Sequence, residues 1–328
     1  MPTICEYIWI DGNGNLRSKT MIIHKVISDL LSDFPEWTYD ASSTHQADSE
    51  GNTEGILKPV SVYRDPLRRG DNCWLVLCET FAYDGTPFQS NHRHAAKTSF
   101  SKGVKEVPWF GIEQEYIITF KDDANLITNG DGRHYCGTST DNRERTIVEE
   151  HLLVCLDVGL TISGINAEVA TQQWEFQIGP VCGIDAADQT YIARFLLERI
   201  AEKRGAQICY LPKPMHNANG SGCHINFSTI RMREAGGLDE IMACMKKLEA
   251  NHTAHIEVYG EYNHLRLTGK HETSSMDVFS YGNGTRNTSV RIPNQTVKDG
   301  CGYFEDRRPA ANVELYRATS KIFETCCL

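Results

Sequence analysis

The sequence has no long hydrophobic run. Its most apolar stretches, such as Trp74 to Cys78, fall far short of the ~20 residues that a membrane-crossing helix needs. The first residues lack the basic and then unbroken apolar pattern of a secretory leader, because Glu6 and Asp11 interrupt it. Positive charge is also short: 33 Lys and Arg against 43 Asp and Glu leave a formal charge of −10. No electrostatic footprint for a phosphate backbone exists, which argues against nucleic acid as a partner. The 12 cysteines are scattered and form no C-x-x-C pair. They stay well below the ~8–10% of disulfide scaffolds, so reduced thiols in a cytoplasmic protein are expected. Thr325 stands where a C-terminal prenylation signal requires Cys. The common nucleotide and hydrolase signatures G-x-G-x-x-G and G-x-S-x-G are missing as well. Gly132 to Thr138 has P-loop glycine spacing but puts Thr at the lysine position, so it is a decoy.

What remains is a chain of 328 residues, 40% hydrophobic and 23% charged, enough for about two globular domains with real cores. The first part reads as short strands and turns: Tyr7 to Ile10 before Asp11-Gly12-Asn13-Gly14, then Ser61 to Tyr63 and Leu75 to Glu79, with a polar loop from Ser42 to Gly55. Beyond Asn91 long helical periods alternate with strands, which places a boundary near 91 to 95 and divides the chain into 1-92 and 93-328. Helices are expected at Arg145 to Val158, at Asp185 to Lys203 with Asp185 as N-cap, and at Leu238 to Asn251. Two-faced strands are expected at Trp109 to Phe120, Ala167 to Gly179, Gly222 to Phe227 and Thr288 to Ile292.

Those strands carry the chemistry. Glu113 and Glu115 are two residues apart, so on a strand both project from one face. In Gln173 to Ile178 the acid Glu175 and two glutamines oppose Trp, Phe and Ile, and Glu168 lies a few residues earlier. In Gly222 to Ser228 the polar set is His224, Asn226 and Ser228. Acids converging on one sheet face repel one another, and an unpaired buried carboxylate is expensive, so a cation should fill the space. Oxygen-rich ligation with a single His suits Mg²⁺ or Mn²⁺, whereas Zn²⁺ favours Cys and His. Arg266, Arg286, Arg291, Arg307 and Arg308 crowd the last fifth of the chain. Carboxylate-held metals facing guanidinium groups are what phosphoryl transfer requires.

The chain resembles the glutamine synthetase family, in its shorter eukaryotic form. The matching segments are Tyr39 to Thr44, Pro108 to Tyr116, Asn166 to Glu168, Trp174 to Pro180, Lys213 to Ser228, Leu267-Thr268-Gly269 with His271-Glu272-Thr273, Arg291-Ile292-Pro293, and Gly302 to Pro309. The resemblance implies an α+β fold: an N-terminal β-grasp-like domain, then a catalytic domain with a curved antiparallel sheet flanked by helices. It implies an ATP-dependent ligase that makes glutamine from glutamate and ammonia through γ-glutamyl phosphate. One Mg²⁺ or Mn²⁺ ion would be held by Glu115, Glu168 and Glu175, another by Glu113, His224 and Glu305. Arg266 and Arg307 would hold glutamate and the transferred phosphate, Arg286 and Arg291 the nucleotide phosphates, and Asn219-Gly220 the amino-acid end of the substrate. Asn226, Ser228 and Tyr303, with the metal ligand Glu175, would lie along ATP. Asp40, with Ser43 and Glu168, would bind ammonium beneath a flap carrying Glu272.

In this family the aspartate at the position of Asp40 reaches a neighbouring subunit's site, so the resemblance also implies a homo-oligomer, two stacked rings of five. The chain departs from the family pattern in four respects. It begins near the first strand without the usual N-terminal helical extension, and it is short between Tyr116 and Tyr135 and between Tyr259 and Arg266. Ala41 replaces a customary glycine, and Asn294-Gln295 stands where an arginine is usual. Two other readings are a non-catalytic structural or regulatory relative, which would tend to lose metal ligands, and a ligase joining glutamate to a larger amine.

Overall fold

The structure, a computed structural model, describes every residue except 1, 28–29, 49, 69, 122–127, 130–131, 139–142 and 216–217. Parts of the short stretch between Tyr116 and Tyr135, and of the Lys213 to Ser228 match, therefore lie outside the described residues. The chain forms two compact units, Met1–Thr98 with Val154–Gly159, and Ser99–Leu153 with Leu160–Leu328.

The first unit contains a five-stranded sheet of β1 (Thr3–Ile10), β2 (Leu16–Ile23), β3 (Trp37–Asp40), β4 (Glu54–Arg64) and β5 (Cys73–Ala82) in the order β2-β1-β5-β4-β3. β1 and β5 run parallel; the other neighbours are antiparallel. Tyr7, Trp9, Tyr39, Leu57, Trp74 and Val76 form its core. Within the polar stretch from Ser42 to Gly55, Ser42–Thr44 form one 3₁₀ turn and β4 already starts at Glu54. Asp40 ends β3 at the sheet edge, exposed.

Helix α1 (His92–Lys102) spans the division between the units. After it come β6 (Trp109–Phe120), α2 (Glu144–Val158), β7 (Ile162–Ala167), β8 (Gln173–Cys182), α3 (Asp185–Lys203), β9 (Ala206–Cys209), β10 (Cys223–Ser228), α4 (Ile230–Arg233), α5 (Gly237–Ala250), α6 (His252–Ile256), β11 (Tyr281–Asn283), β12 (Val290–Ile292), α7 (Asn294–Asp299), β13 (Phe304–Asp306) and α8 (Leu315–Cys327). The second sheet runs β11-β12-β13-β10-β6-β8-β7, with β9 also on β6; every pairing is antiparallel except β11 with β12.

Period-two alternation decides which face is which. Phe110, Ile112 and Tyr116 of β6, Trp174, Phe176 and Ile178 of β8, and Cys223, Ile225 and Phe227 of β10 are buried on the side where α3 packs. Gln114 shares that side, fully buried, and Arg194 of α3 satisfies it, donating Nε–H to its Oε1 at 2.8 Å. The opposite side carries Glu113, Glu115, Glu175 and His224.

Two expectations are corrected. Ala167 to Gly179 is not one strand: residues between β7 and β8 turn back, with Gln172 at φ 64, so Glu168 sits at a strand end rather than within an alternating run. Asp185 opens α3 as its first residue, while Ile184 occupies the cap position without a side-chain hydrogen bond. None of the 12 cysteines is joined in a disulfide among the described residues. Among the described residues no helix is long and apolar enough to cross a membrane.

Candidate active site

Cross-strand register assembles the polar face. Glu113 of β6 pairs with His224 of β10 and with Gln177 of β8; Glu115 pairs with Glu175, and Glu175 with Asn166 of β7. On the other flank Glu305 of β13 pairs with Asn226 and Arg291. Directly opposed residues lie about 4.5–5.5 Å apart at Cβ, close enough for their side chains to converge. Two groups result, Glu113 with His224 and Glu305, and Glu115 with Glu168 and Glu175; within each, one ligating atom per residue lies within 4.8 Å of the others. His224 stands between them, its Nδ1 3.5 Å from both Glu113 and Glu305 and its Nε2 3.8 Å from Glu115.

The electrostatics follow from this crowding. Burial, with Glu168 nearby, raises the Glu115 carboxyl to about 8, and burial with Glu113 and Glu115 nearby raises Glu175 to about 9. Burial also raises Glu168. Burial and the Arg307 guanidinium push His224 well below its usual range, which keeps the imidazole neutral and able to ligate. Among the described residues no Lys or Arg lies within ion-pair distance of Glu115, Glu168 or Glu175. Three converging acids with no cationic side chain in ion-pair contact among the described residues, beside a neutral imidazole, fit a divalent, oxygen-preferring cation.

Arginines close the rest of the cleft. Arg307 donates from Nη1 to Glu305 at 2.7 Å and from Nε to the Arg286 carbonyl at 3.2 Å, and Arg291 also ion-pairs with Glu305. Arg266 is buried and donates from Nη2 to the carbonyls of Arg307 at 2.9 Å and Pro309 at 2.6 Å, so it fixes the chain after β13 as well as facing the cleft. Arg286 lies 3.9 Å from Glu272, and its guanidinium is bonded to Tyr135. Glu272 and its neighbour His271 both hold positive φ, at 62 and 53.

The resulting cleft has a volume of about 240 Å³ and is lined almost wholly by polar groups, including five glutamates and four arginines. Of the expected residues it gathers Glu113, Glu115, Glu168, Glu175, His224, Asn219, Gly220, Arg266, Glu272, Arg286, Arg291 and Arg307. Glu305 is fully buried and converges with Glu113 and His224 in one of the two groups. Asn226 donates to Glu113 at 2.7 Å, Ser228 accepts from Arg233 at 3.0 Å, and Tyr303 is partly exposed; none of the three lines the cleft. Asp40 and Ser43 belong to the first unit, where Ser43 and Ser42 donate to the Asp40 carboxylate at 2.6 and 2.7 Å and hold it down at about 2.

Sequence reasoning missed Tyr135 and His271 as lining residues. Tyr135 lies in the very segment set aside as a P-loop decoy. The sequence set Gln173 and Gln177 on the polar face of their strand but gave them and Asn166 no site role, although all three line the cleft and bond to its acids.

Glycine has a definite task at Gly222, where a Cβ would stand 2.7 Å from His224 Nε2 and 3.1 Å from Arg266 Nη2. Gly222→Ala should therefore displace the His224 imidazole and lower activity about tenfold or more, as loss of ligand positioning does if this group holds a cation, with kcat and metal dependence measured together; unchanged values would contradict the tight fit.

The raised acids also predict a pH effect. In the metal-free protein the unfolded chain releases protons from Glu115 and Glu175 near 4.5, while the folded protein retains them up to about 8 and 9. Their contribution to stability is thus fully present below about 4.5 and is lost as pH rises towards about 9. The thermal midpoint in a chelator should fall across that window and recover on adding Mg²⁺, and Glu175→Gln should flatten the metal-free profile. A metal-free midpoint that does not fall would show that these acids are not held protonated.

Comparison with known proteins finds similarity over nearly the whole chain. The model of the "Glutamine synthetase, catalytic domain" family matches residues 89–324. The chain is 52% identical over 333 residues to a provisionally named glutamine synthetase of Acanthamoeba polyphaga mimivirus, covering 99% of this chain and 94% of that protein. It is 48% identical over 332 residues to the glutamine synthetase of Emericella nidulans (99% and 92%) and 47% identical over 332 residues to that of Saccharomyces cerevisiae (99% and 89%).

Proposed function

The chain belongs to the glutamine synthetase family, and from that premise we propose how its cleft works. The protein is an ATP-dependent ligase that forms glutamine from glutamate and ammonia, using ATP and divalent metal. The observation that carries the assignment of residues is the pair of acid groups on one sheet face.

In our reading Glu115, Glu168 and Glu175 hold one cation and Glu113, His224 and Glu305 the other, and Mg²⁺ or Mn²⁺ fits this donor set. Bound there, the cations neutralise phosphate oxygens and align the γ-phosphoryl group. Arg307 clamps that group, its fork oriented by Glu305 and the Arg286 carbonyl. Arg266 and Asn219-Gly220 orient glutamate so that its γ-carboxylate attacks phosphorus and ADP leaves. Arg286 and Arg291 face the nucleotide phosphates, and Asn226, Ser228 and Tyr303 lie along the nucleotide. The ammonium ion is attracted by Asp40, which its serine hydrogen bonds keep ionised, with Glu168 as the second carboxylate of that site, and the ammonium proton passes to this carboxylate pair. Ammonia then attacks the γ-carbonyl carbon and phosphate leaves, with Glu272 closing the site.

We further read residues 1–92 as the β-grasp-like domain and 93–328 as the catalytic domain, in a cytoplasmic enzyme built of stacked five-membered rings. Asp40 is then donated to a neighbouring subunit's site. That arrangement makes a complementation test possible. Asp40→Asn alone should raise the ammonium requirement at least tenfold while ATP and glutamate binding persist. Co-assembling it with Glu113→Ala subunits should regenerate some intact sites and, at limiting ammonium, recover activity that both pure variants lack. No recovery despite proven co-assembly would mean that Asp40 serves its own chain.

Retention of all six metal-binding candidates disfavours a non-catalytic relative. Phosphate release with ATP, glutamate and Mg²⁺, with ammonium or with larger amines, separates the three readings: ammonium-dependent release with glutamine as product is expected, and release only with a larger amine would overturn the choice of ammonia.

A further inference from the structure

The three acids of one group pose a problem that the metal alone does not solve. Glu115, Glu168 and Glu175 repel one another, and no Lys or Arg lies within ion-pair distance of them among the described residues, so charge pairing does not orient them. Uncharged N–H donors do. Gln173 donates from Nε2 to Glu115 Oε2 at 3.0 Å, and Asn166 donates from Nδ2 to Glu168 Oε1 at 2.9 Å. The Gln177 Nε2 donates to Glu175 Oε1 and, at 3.2 Å, to Asn166 Oδ1.

Two details show that this is a built frame. Asn166 accepts from Gln177 through its oxygen and donates to Glu168 through its nitrogen, so only one orientation of its amide satisfies both bonds. Gly164, the cross-strand partner of Gln177, leaves the space that the amide occupies: a Cβ there would stand 2.5 Å from Gln177 Oε1. Gln173, Glu175 and Gln177 alternate along β8, and Asn166 pairs with Glu175 across β7, so the sheet itself sets the frame.

We propose that Asn166, Gln173 and Gln177 are positioning residues that aim the three carboxylates at a shared divalent cation through neutral amide donors. A lysine or arginine in their places would orient the acids equally well but would neutralise the charge that attracts the cation and compete for its position. An amide orients without cancelling charge. Partners that orient metal ligands commonly change metal affinity by about 10–100-fold when removed. This inference rests on the metal assignment made above.

The test is a Mn²⁺ titration of the full-length protein without nucleotide or glutamate, followed by electron paramagnetic resonance, with the thermal midpoint recorded in a chelator. The variants are Gln177→Met, which keeps length but removes the donor, and Gly164→Ala, which pushes the amide aside without altering any residue of the cleft. Both should weaken one Mn²⁺ affinity about 10–100-fold, leave the other unchanged and shift the chelated midpoint little. Unchanged affinities, or two affinities falling together with the midpoint, would overturn the positioning role while leaving the metal assignment standing. A wild-type protein that binds no Mn²⁺ would instead overturn that assignment, and this inference with it.

Discussion

Glu113→Ala and Glu175→Ala are each expected to lower kcat by several orders of magnitude while the protein still folds. Each removes one proposed oxygen ligand, from a different acid group. A ligand that holds a charge-neutralising cation against the transferred phosphoryl group should matter at least as much as one oxyanion donor, whose loss costs about 10²–10³ in kcat. Stability should move the other way. Glu175 is raised by burial and by Glu113 and Glu115, so deleting it relieves repulsion, and the metal-free thermal midpoint of Glu175→Ala should equal or exceed that of the parent. Near-normal turnover in either variant would contradict the metal assignment. A collapse of the metal-free midpoint would mean that the acids are structural.

Arg307→Lys should cost about 10²-fold or more in kcat although it preserves charge. Three directions converge on this side chain: Glu305 at 2.7 Å, the Arg286 carbonyl at 3.2 Å and the cleft that it lines. A guanidinium serves all three with a fixed planar fork, whereas an ammonium on a flexible stem is a point donor that satisfies them one at a time. The loss should fall on kcat more than on the KM for glutamate, because the fork is proposed to hold charge that moves during transfer. Wild-type kinetics in the lysine variant would remove Arg307 from the clamp.

Much of this site was legible before any fold was known, and for a simple reason. Two glutamates at i and i+2 on a strand must share a face, and Glu113 and Glu115 do. The same arithmetic set Glu175 and His224 on polar faces, but it gave no partner to any of them, because register between distant strands is not written in local periodicity. Glu305 escaped the arithmetic altogether: β13 has only three residues, too few to show a period. Its place in the metal group came from resemblance alone. Glu168 was seen as an acid but assigned to a continuous strand, since nothing in Ala167 to Gln172 announces the turn that Gln172 makes at positive φ. The amides of Asn166, Gln173 and Gln177 were visible yet silent, because an amide on a strand face looks the same whether it meets water or orients a carboxylate. In the first unit, the serines after Asp40 were noted, but that their hydroxyls would hold its carboxylate ionised emerged only from the turn they form.

The measurement that bears most directly on the account follows one oxygen atom. If the γ-carboxylate of glutamate attacks the γ-phosphorus of ATP and ammonia then displaces phosphate, one carboxylate oxygen must leave with that phosphate. Glutamate labelled with ¹⁸O in its γ-carboxylate should yield inorganic phosphate carrying one labelled oxygen per glutamine formed, in an ammonium-dependent reaction that fails in Glu175→Ala. Release of unlabelled phosphate, with glutamine absent or formed without transfer of the label, would contradict the proposed chemistry.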